Sequence, residues 1–198
     1  MAEYVADPSL TLARARDDYF RVNDFGADGG YGAAWVDFKL GPIPMPFPNT
    51  PSRKRAVRYH DLHHALTGYA TDLRGEFEIS AWEIASGCAD HVAAWQLNLS
   101  GMVGGLFVIP RRTFAAFVRG RRSRNLYRAT YDEALLARRV GEMRGELGLD
   151  EPPARASMGD VAWFSLAALA GLVIGLLFVV LLVPIAIAAN VAAFFRRR

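Results

Sequence analysis

The feature that most constrains this chain is a stretch of 35 residues, Val161 to Phe195, without one charged side chain. A helix crosses a bilayer core with roughly 20 apolar residues, and Val161–Val183 alone meets that requirement, with Trp163 and Phe164 placed as interfacial anchors. As straight helix the whole stretch would measure about 52 Å at 1.5 Å per residue. That is too long for one upright span and short for two. Pro184 is expected to kink or end the first span. A tilted or kinked single span is therefore predicted, with a re-entrant hairpin as the alternative.

The rest of the chain reads as one domain of ordinary size. Residues 1–51 form an N-terminal segment, 52–149 a helical domain, 150–160 a linker and 161–195 the anchor. The first twenty residues carry acids and no apolar run, so neither a signal nor a transit peptide is read there. The one cysteine, Cys88, excludes an intrachain disulfide and reads as a small packed residue. All but two of the 23 basic residues are arginine, which suggests a GC-rich bacterial genome. They cluster at Arg53–Arg58, Arg111–Arg128 and Arg196–Arg198. Beside an apolar span, and without interleaved aromatics, they favour anionic lipid and not nucleic acid. A single-pass protein of the bacterial inner membrane with its main domain in the cytoplasm is expected, as is a homo-oligomer.

Helical punctuation is clear in the middle of the chain. Thr50 can act as N-cap with Pro51 at the first helical position, and Gly68 supplies the stop. Thr71 or Asp72 can cap a second helix, to about residue 86, ended by Gly87. Leu10–Val22 suggests a short helix with Leu12, Tyr19 and Phe20 on its apolar side. Alternate prolines make 41–48 an extended, polyproline-like segment. Val92–Ile109 is uncharged and reads as a buried or membrane-dipping helix, whose Gly101, Gly104 and Gly105 allow close approach. Thr113–Arg119 reads as a short helix and Tyr131–Leu147 as one amphipathic helix. No strand pattern is evident. The fold class is all-α, with a helix hairpin and a C-terminal transmembrane helix.

The hairpin carries the chemistry. His60 and His64 lie one turn apart on one face, Asp61 beside them. On an unbroken helix Glu76 would point about 120° away from His64; the break at Gly68 lets it face the histidines. Two imidazoles and up to two carboxylates suit a divalent metal, zinc first, with cobalt, manganese or iron as alternatives. A position left open for water or substrate is the mark of a catalytic site. His63 points elsewhere and reads as a supporting or surface residue; His91 reads as a helix-start residue. Several known patterns fail on counting. Membrane di-iron desaturases need about eight histidines, and this chain has 4. HD-type phosphohydrolases need further ligands on separate helices. In the zincin motif the glutamate slot is here held by the shorter Asp61.

The segment His60-Asp61-x-x-His64-Ala65-Leu66-x-Gly68-x-x-Thr71, with Gly75-Glu76 after it, resembles the COQ4 family of ubiquinone biosynthesis, whose metal motif reads His-Asp-x-x-His, eleven residues, then Glu. The resemblance continues through Trp82-Glu83, Asn125-Leu126-Tyr127 and Glu146-Leu147-Gly148, covering Ser52 to Leu149. It implies that His60, Asp61, His64 and Glu76 are metal ligands. It also implies an all-helical fold at the membrane with a groove for a polyprenyl tail. Family members organise the ubiquinone biosynthetic complex and are implicated in decarboxylation, with oxidative replacement, of a polyprenyl-hydroxybenzoate intermediate. The partners expected are thus a polyprenylated aromatic precursor, membrane lipids and other quinone-biosynthesis proteins. The N-terminal third and the membrane span depart from the family pattern. Two other functions stay open, a non-catalytic prenyl-lipid scaffold and a metal-dependent lipid hydrolase.

Overall fold

The computed structural model describes residues 6–36, 39–40, 43–44, 46–152 and 155–196, with backbone alone at 39–40, 43–44 and 178–196. Helix α1 spans Leu12–Val22. The proline-rich region follows, and its residues pair as short strands. β1 (Trp35–Val36) lies antiparallel to β4 (Phe47–Pro48), and β2 (Lys39–Leu40) to β3 (Ile43–Pro44). The extended reading stands, and the expectation of no strand is corrected. Proline fixes φ in the extended region, while the intervening Ile43 and Phe47 keep their N–H groups.

Helices α2 (Pro51–Thr67) and α3 (Leu73–Ser86) form the hairpin. Thr50 Oγ1 accepts the Arg53 N–H, and Gly68 ends α2 in the left-handed region at φ 77°, where a side chain is disfavoured. Asp72 caps α3 by accepting the Gly75 N–H at 2.8 Å. Helices α4 (Val92–Val108) and α5 (Pro110–Arg122) pack against α3. The three glycines of α4 serve this contact: a Cβ at Gly101 would lie 2.3 Å from Ser80 Oγ, and Gly104 and Gly105 abut Phe77. Helix α5 is longer than the Thr113–Arg119 read from sequence, because Pro110 opens it at a position where its missing N–H costs nothing.

The amphipathic segment divides into α6 (Glu133–Leu136) and α7 (Val140–Leu147). Between them the chain is extended and pairs with the N-terminal segment. Leu12 N donates to Arg138 O at 2.8 Å and Val140 N to Leu10 O at 2.9 Å. The apolar period of Leu135, Val140 and Met143 survives because all three still reach the core, but backbone pairing across the chain outcompetes continuous helix. The N-terminal segment is thus built into the domain. Leu12 and Ala15 are buried in the same core as Leu62, Ile79 and Trp82.

Helix α8 runs unbroken from Met158 to Arg196, through Pro184. The hairpin alternative is therefore excluded, and Pro184 does not end the helix. Met158–Leu177 is already long and apolar enough to cross a membrane. At its start Asp160 is buried between Arg122, at 2.6 and 2.8 Å, and Arg121, at 3.3 Å. Trp163 is exposed with the Arg121 guanidinium over its ring. Phe164 is not an interfacial anchor: it packs edge-on against Phe114 and Phe117 of α5, centroids 5.1 and 5.2 Å away.

Candidate metal centre

Three donor atoms converge where the hairpin closes. His60 Nε2 lies 3.1 Å from His64 Nε2 and 3.3 Å from Glu76 Oε2. His64 Nε2 lies 3.3 Å from Glu76 Oε1. In a tetrahedral site with metal–nitrogen bonds of about 2.0–2.1 Å, neighbouring donors stand about 3.3 Å apart. The separations are those of one face of such a tetrahedron.

The protons argue the same way. His64 Nδ1 must donate to the Tyr69 carbonyl, at 2.9 Å, and His60 Nδ1 to Glu83 Oε1, at 3.0 Å. In the neutral rings both Nε2 atoms are then bare lone pairs, facing each other and a carboxylate. Acceptors gathered this way are satisfied by a metal ion among them, or by a proton on His60 Nε2. A ring held by a hydrogen bond at its far nitrogen is the usual support of a metal-bound histidine. His60, His64 and Glu76 could hold a metal ion. His64 is almost fully buried, while the Glu76 side chain is 40% exposed, so the centre opens on the glutamate side. That leaves room for a further ligand.

Asp61 is not part of this group. It lies 100° around α2 from His60, and its Oδ2 accepts the Tyr31 hydroxyl at 2.5 Å. Burial raises its pKa and that of Tyr31. The N-terminal segment also walls the site, since Tyr19 stacks on the His64 ring at 5.4 Å between centroids.

Glu83 is the residue that sequence reasoning passed over. Its side chain is wholly buried and accepts four hydrogen bonds. Oε1 takes His60 and, at 2.6 Å, His63 Nδ1; Oε2 takes the Tyr127 hydroxyl at 2.7 Å and the Asn98 amide. That fills the carboxylate's capacity. His63 is fully buried, so the surface alternative for it is corrected. Its Nε2 accepts the Leu126 N–H at 3.0 Å, which fixes the proton on Nδ1. A signal did exist: Glu76 and Glu83 are seven residues apart and share a face of α3.

The electrostatics follow from this packing. Burial alone would keep His60 uncharged, but Glu83 and Glu76 overcome it and hold its pKa well above the ordinary value. Burial alone would raise both glutamates; the imidazoles instead hold both far below the carboxylate range. For His63 burial prevails, and its pKa is lowered. Elsewhere, His91 occupies the start of α4 as expected, buried with Nε2 3.2 Å from the Tyr127 carbonyl. Cys88 is buried, and burial raises its thiol pKa. No protein family, curated protein or solved structure matches this chain.

Proposed function

We propose that this chain is a membrane-anchored, metal-dependent enzyme of the COQ4 type, which removes the ring carboxylate from a polyprenylated hydroxybenzoate. The observation that carries the reading is the pair of bare Nε2 atoms facing Glu76, each ring oriented by its other nitrogen. The site is open at Glu76 and belongs to a domain that continues into a membrane-length helix. Zinc is the first choice for this donor set, with cobalt, manganese or iron as alternatives. A bound divalent cation supplies Lewis acidity toward a carboxylate or phenolate oxygen.

The protein's own part is positioning. Tyr69 and Glu83 hold the two rings, and Tyr19 covers the inner face of His64. Segments on which the family resemblance rests meet here: Glu83 from α3, the Leu126 N–H and the Tyr127 hydroxyl. In simple decarboxylation the ring–carboxyl bond breaks, carbon dioxide leaves and a proton takes its place. Oxidative replacement requires dioxygen or another oxidant as well. The prenyl tail would stay in lipid beside α8, and quinone-biosynthesis proteins are the partners this role requires.

One observation favours a second reading. Both ring nitrogens of His60 face carboxylates, at 3.0 and 3.3 Å, so a proton could close the cluster and leave a non-catalytic lipid scaffold. Two measurements separate the readings. Purified protein should carry one divalent metal per chain, lost in His64→Ala. A deletion strain should accumulate a carboxylated quinone precursor, rescued by the wild-type gene and not by His60→Ala or Glu76→Ala. A metal-free protein whose variants rescue fully would establish the scaffold.

A further inference from the structure

The register of the helices brings three apolar ends together. Ser80 of α3 meets Gly101 of α4 and Phe77 meets Gly104, so these two helices are antiparallel. Arg112 of α5 pairs with Glu78, and Gly120 abuts Trp82, so α5 runs with α3. Along α8, Asp160 sits at Arg122 and Phe164 at Phe117, so α8 runs against α5 and therefore with α4. Gly171 then packs on Leu99 and Val103. The start of α3, the end of α4 and the point where α8 leaves the domain thus share one end of the molecule.

That end is apolar and, among the described residues, uncovered. Phe107 is 78% exposed, and Leu73, Val108, Leu176 and Leu177 are each more than half exposed. Arg74 and Arg111 are exposed beside them. Glu76, the open ligand of the metal centre, is on the first turn of α3 at this same end.

We propose that this end is a bilayer-docking face, in which Leu73, Phe107 and Val108 enter the membrane interface next to α8 while Arg74 and Arg111 meet anionic head groups. Continuity with α8 identifies the occupant. From Leu177 to Phe195 the helix has roughly 19 uncharged residues, or ~28 Å at 1.5 Å per residue, which matches a hydrocarbon core of about 30 Å. The preceding turns pack on α4 and α5 through Phe164, Ala168 and Gly171. The first turns of α8 thus pack one side on the domain, their other side, with Leu166, Leu169 and Leu172, being exposed, and the remaining length is left to cross. Exposed aromatic and aliphatic groups rimmed by arginine are what such an interface selects. The open side of the metal centre then faces lipid. The inference rests on α8 being a membrane helix and not on any chemistry at the metal.

The test uses the full-length protein in vesicles of phosphatidylcholine and phosphatidylglycerol. Nitroxide labels are attached at Phe107→Cys, Leu73→Cys, Leu177→Cys and, at the far end, Asp90→Cys. Cys88 is buried, which confines labelling to the new thiol. The labels at 107, 73 and 177 should collide preferentially with oxygen, and that at 90 with aqueous chromium oxalate. Adding Arg74→Gln and Arg111→Gln should shift the 107 label toward chromium oxalate. If 177 is lipid-exposed while 107 and 73 behave like 90, α8 alone enters the membrane and the proposal falls. Labels at 107 and 73 shielded from both agents would mean that protein covers this face, which also overturns it. Metal content of the same preparations reports separately on the centre.

Discussion

The two ends of α3 carry the same side chain in opposite circumstances. Glu83, deep in the domain, has no exposed side-chain surface and four hydrogen-bond donors around it. Glu76, two turns earlier, is 40% exposed and, among the described residues, meets the two imidazoles alone. Burial and saturation make the inner glutamate a fixed reference for His60 and His63. Exposure leaves the outer one free to exchange partners. The candidate centre thus combines one residue of each kind.

The sharpest way to break this comparison is Glu83→Ala. It strands His60, His63, Tyr127 and Asn98 in the interior, and losing one partner of a buried, charged network costs about 3–5 kcal/mol. Chemical unfolding in detergent reads this, and a loss below about 1 kcal/mol would mean that Glu83 is no anchor. Glu76→Gln should do the reverse, weakening metal binding by at least about 100-fold, or ~2.7 kcal/mol, with little change in unfolding. Equilibrium dialysis against zinc gives the first number.

Packing away from the centre supplies the contrast. A Cβ at Gly171 would lie 2.6 Å from Val103 Cγ2 and 2.8 Å from the Leu99 carbonyl. Gly171→Leu should therefore destabilise by about 1–3 kcal/mol through overpacking and leave metal stoichiometry unchanged.

Acid should act on the inner glutamate as well. The folded pKa of Glu83 is depressed, so its contribution is present above the unfolded carboxylate value of about 4.3 and fades as pH falls below it. His63, lowered by burial, begins to cost stability once the unfolded imidazole protonates below about 6.5. His60 has the opposite sign in metal-free protein: raised, it contributes below about 6.5 and loses that contribution as pH rises through its folded pKa. Metal-free stability should thus change little through pH 6–7 and fall below about 4. Glu76 is depressed in the same way, so an unfolding series in Glu83→Gln should fall less steeply below pH 4 than wild type, the difference being this residue's share. The smallest effect is expected at Thr50→Ala, about 1 kcal/mol for a lost N-cap, with the metal centre intact by zinc titration.

Much of the site was legible because local chemistry controls it. Thr50, Pro51, Gly68 and Asp72 each set a helix boundary through their own backbone or side chain. Those boundaries fold Glu76 back onto His60 and His64. Asp61 could not be told apart from its neighbour in the sequence, because both groups are drawn into the fold and composition does not show which partner each will meet; Tyr31, 30 residues away, holds the Asp61 carboxylate apart from the three donors. The Tyr131–Leu147 segment misled because the hydrophobic period records which residues are buried. It does not record whether the N-terminal chain will pair with the backbone at Arg138 and Val140 and interrupt the helix.

The sequence by itself determined helices α1 to α4, the hairpin turn, the pair of imidazoles one turn apart and the long uncharged helix. All are consequences of neighbours within a few residues. Only the tertiary structure decided that Glu83 is the hub, that His63 is buried, and that the uncharged helix packs part of its length on α4 and α5. Those outcomes depend on Asn98, Tyr127, Leu126 and Val103 arriving from distant parts of the chain. Contacts of that range are set by how whole helices pack, which no local pattern encodes.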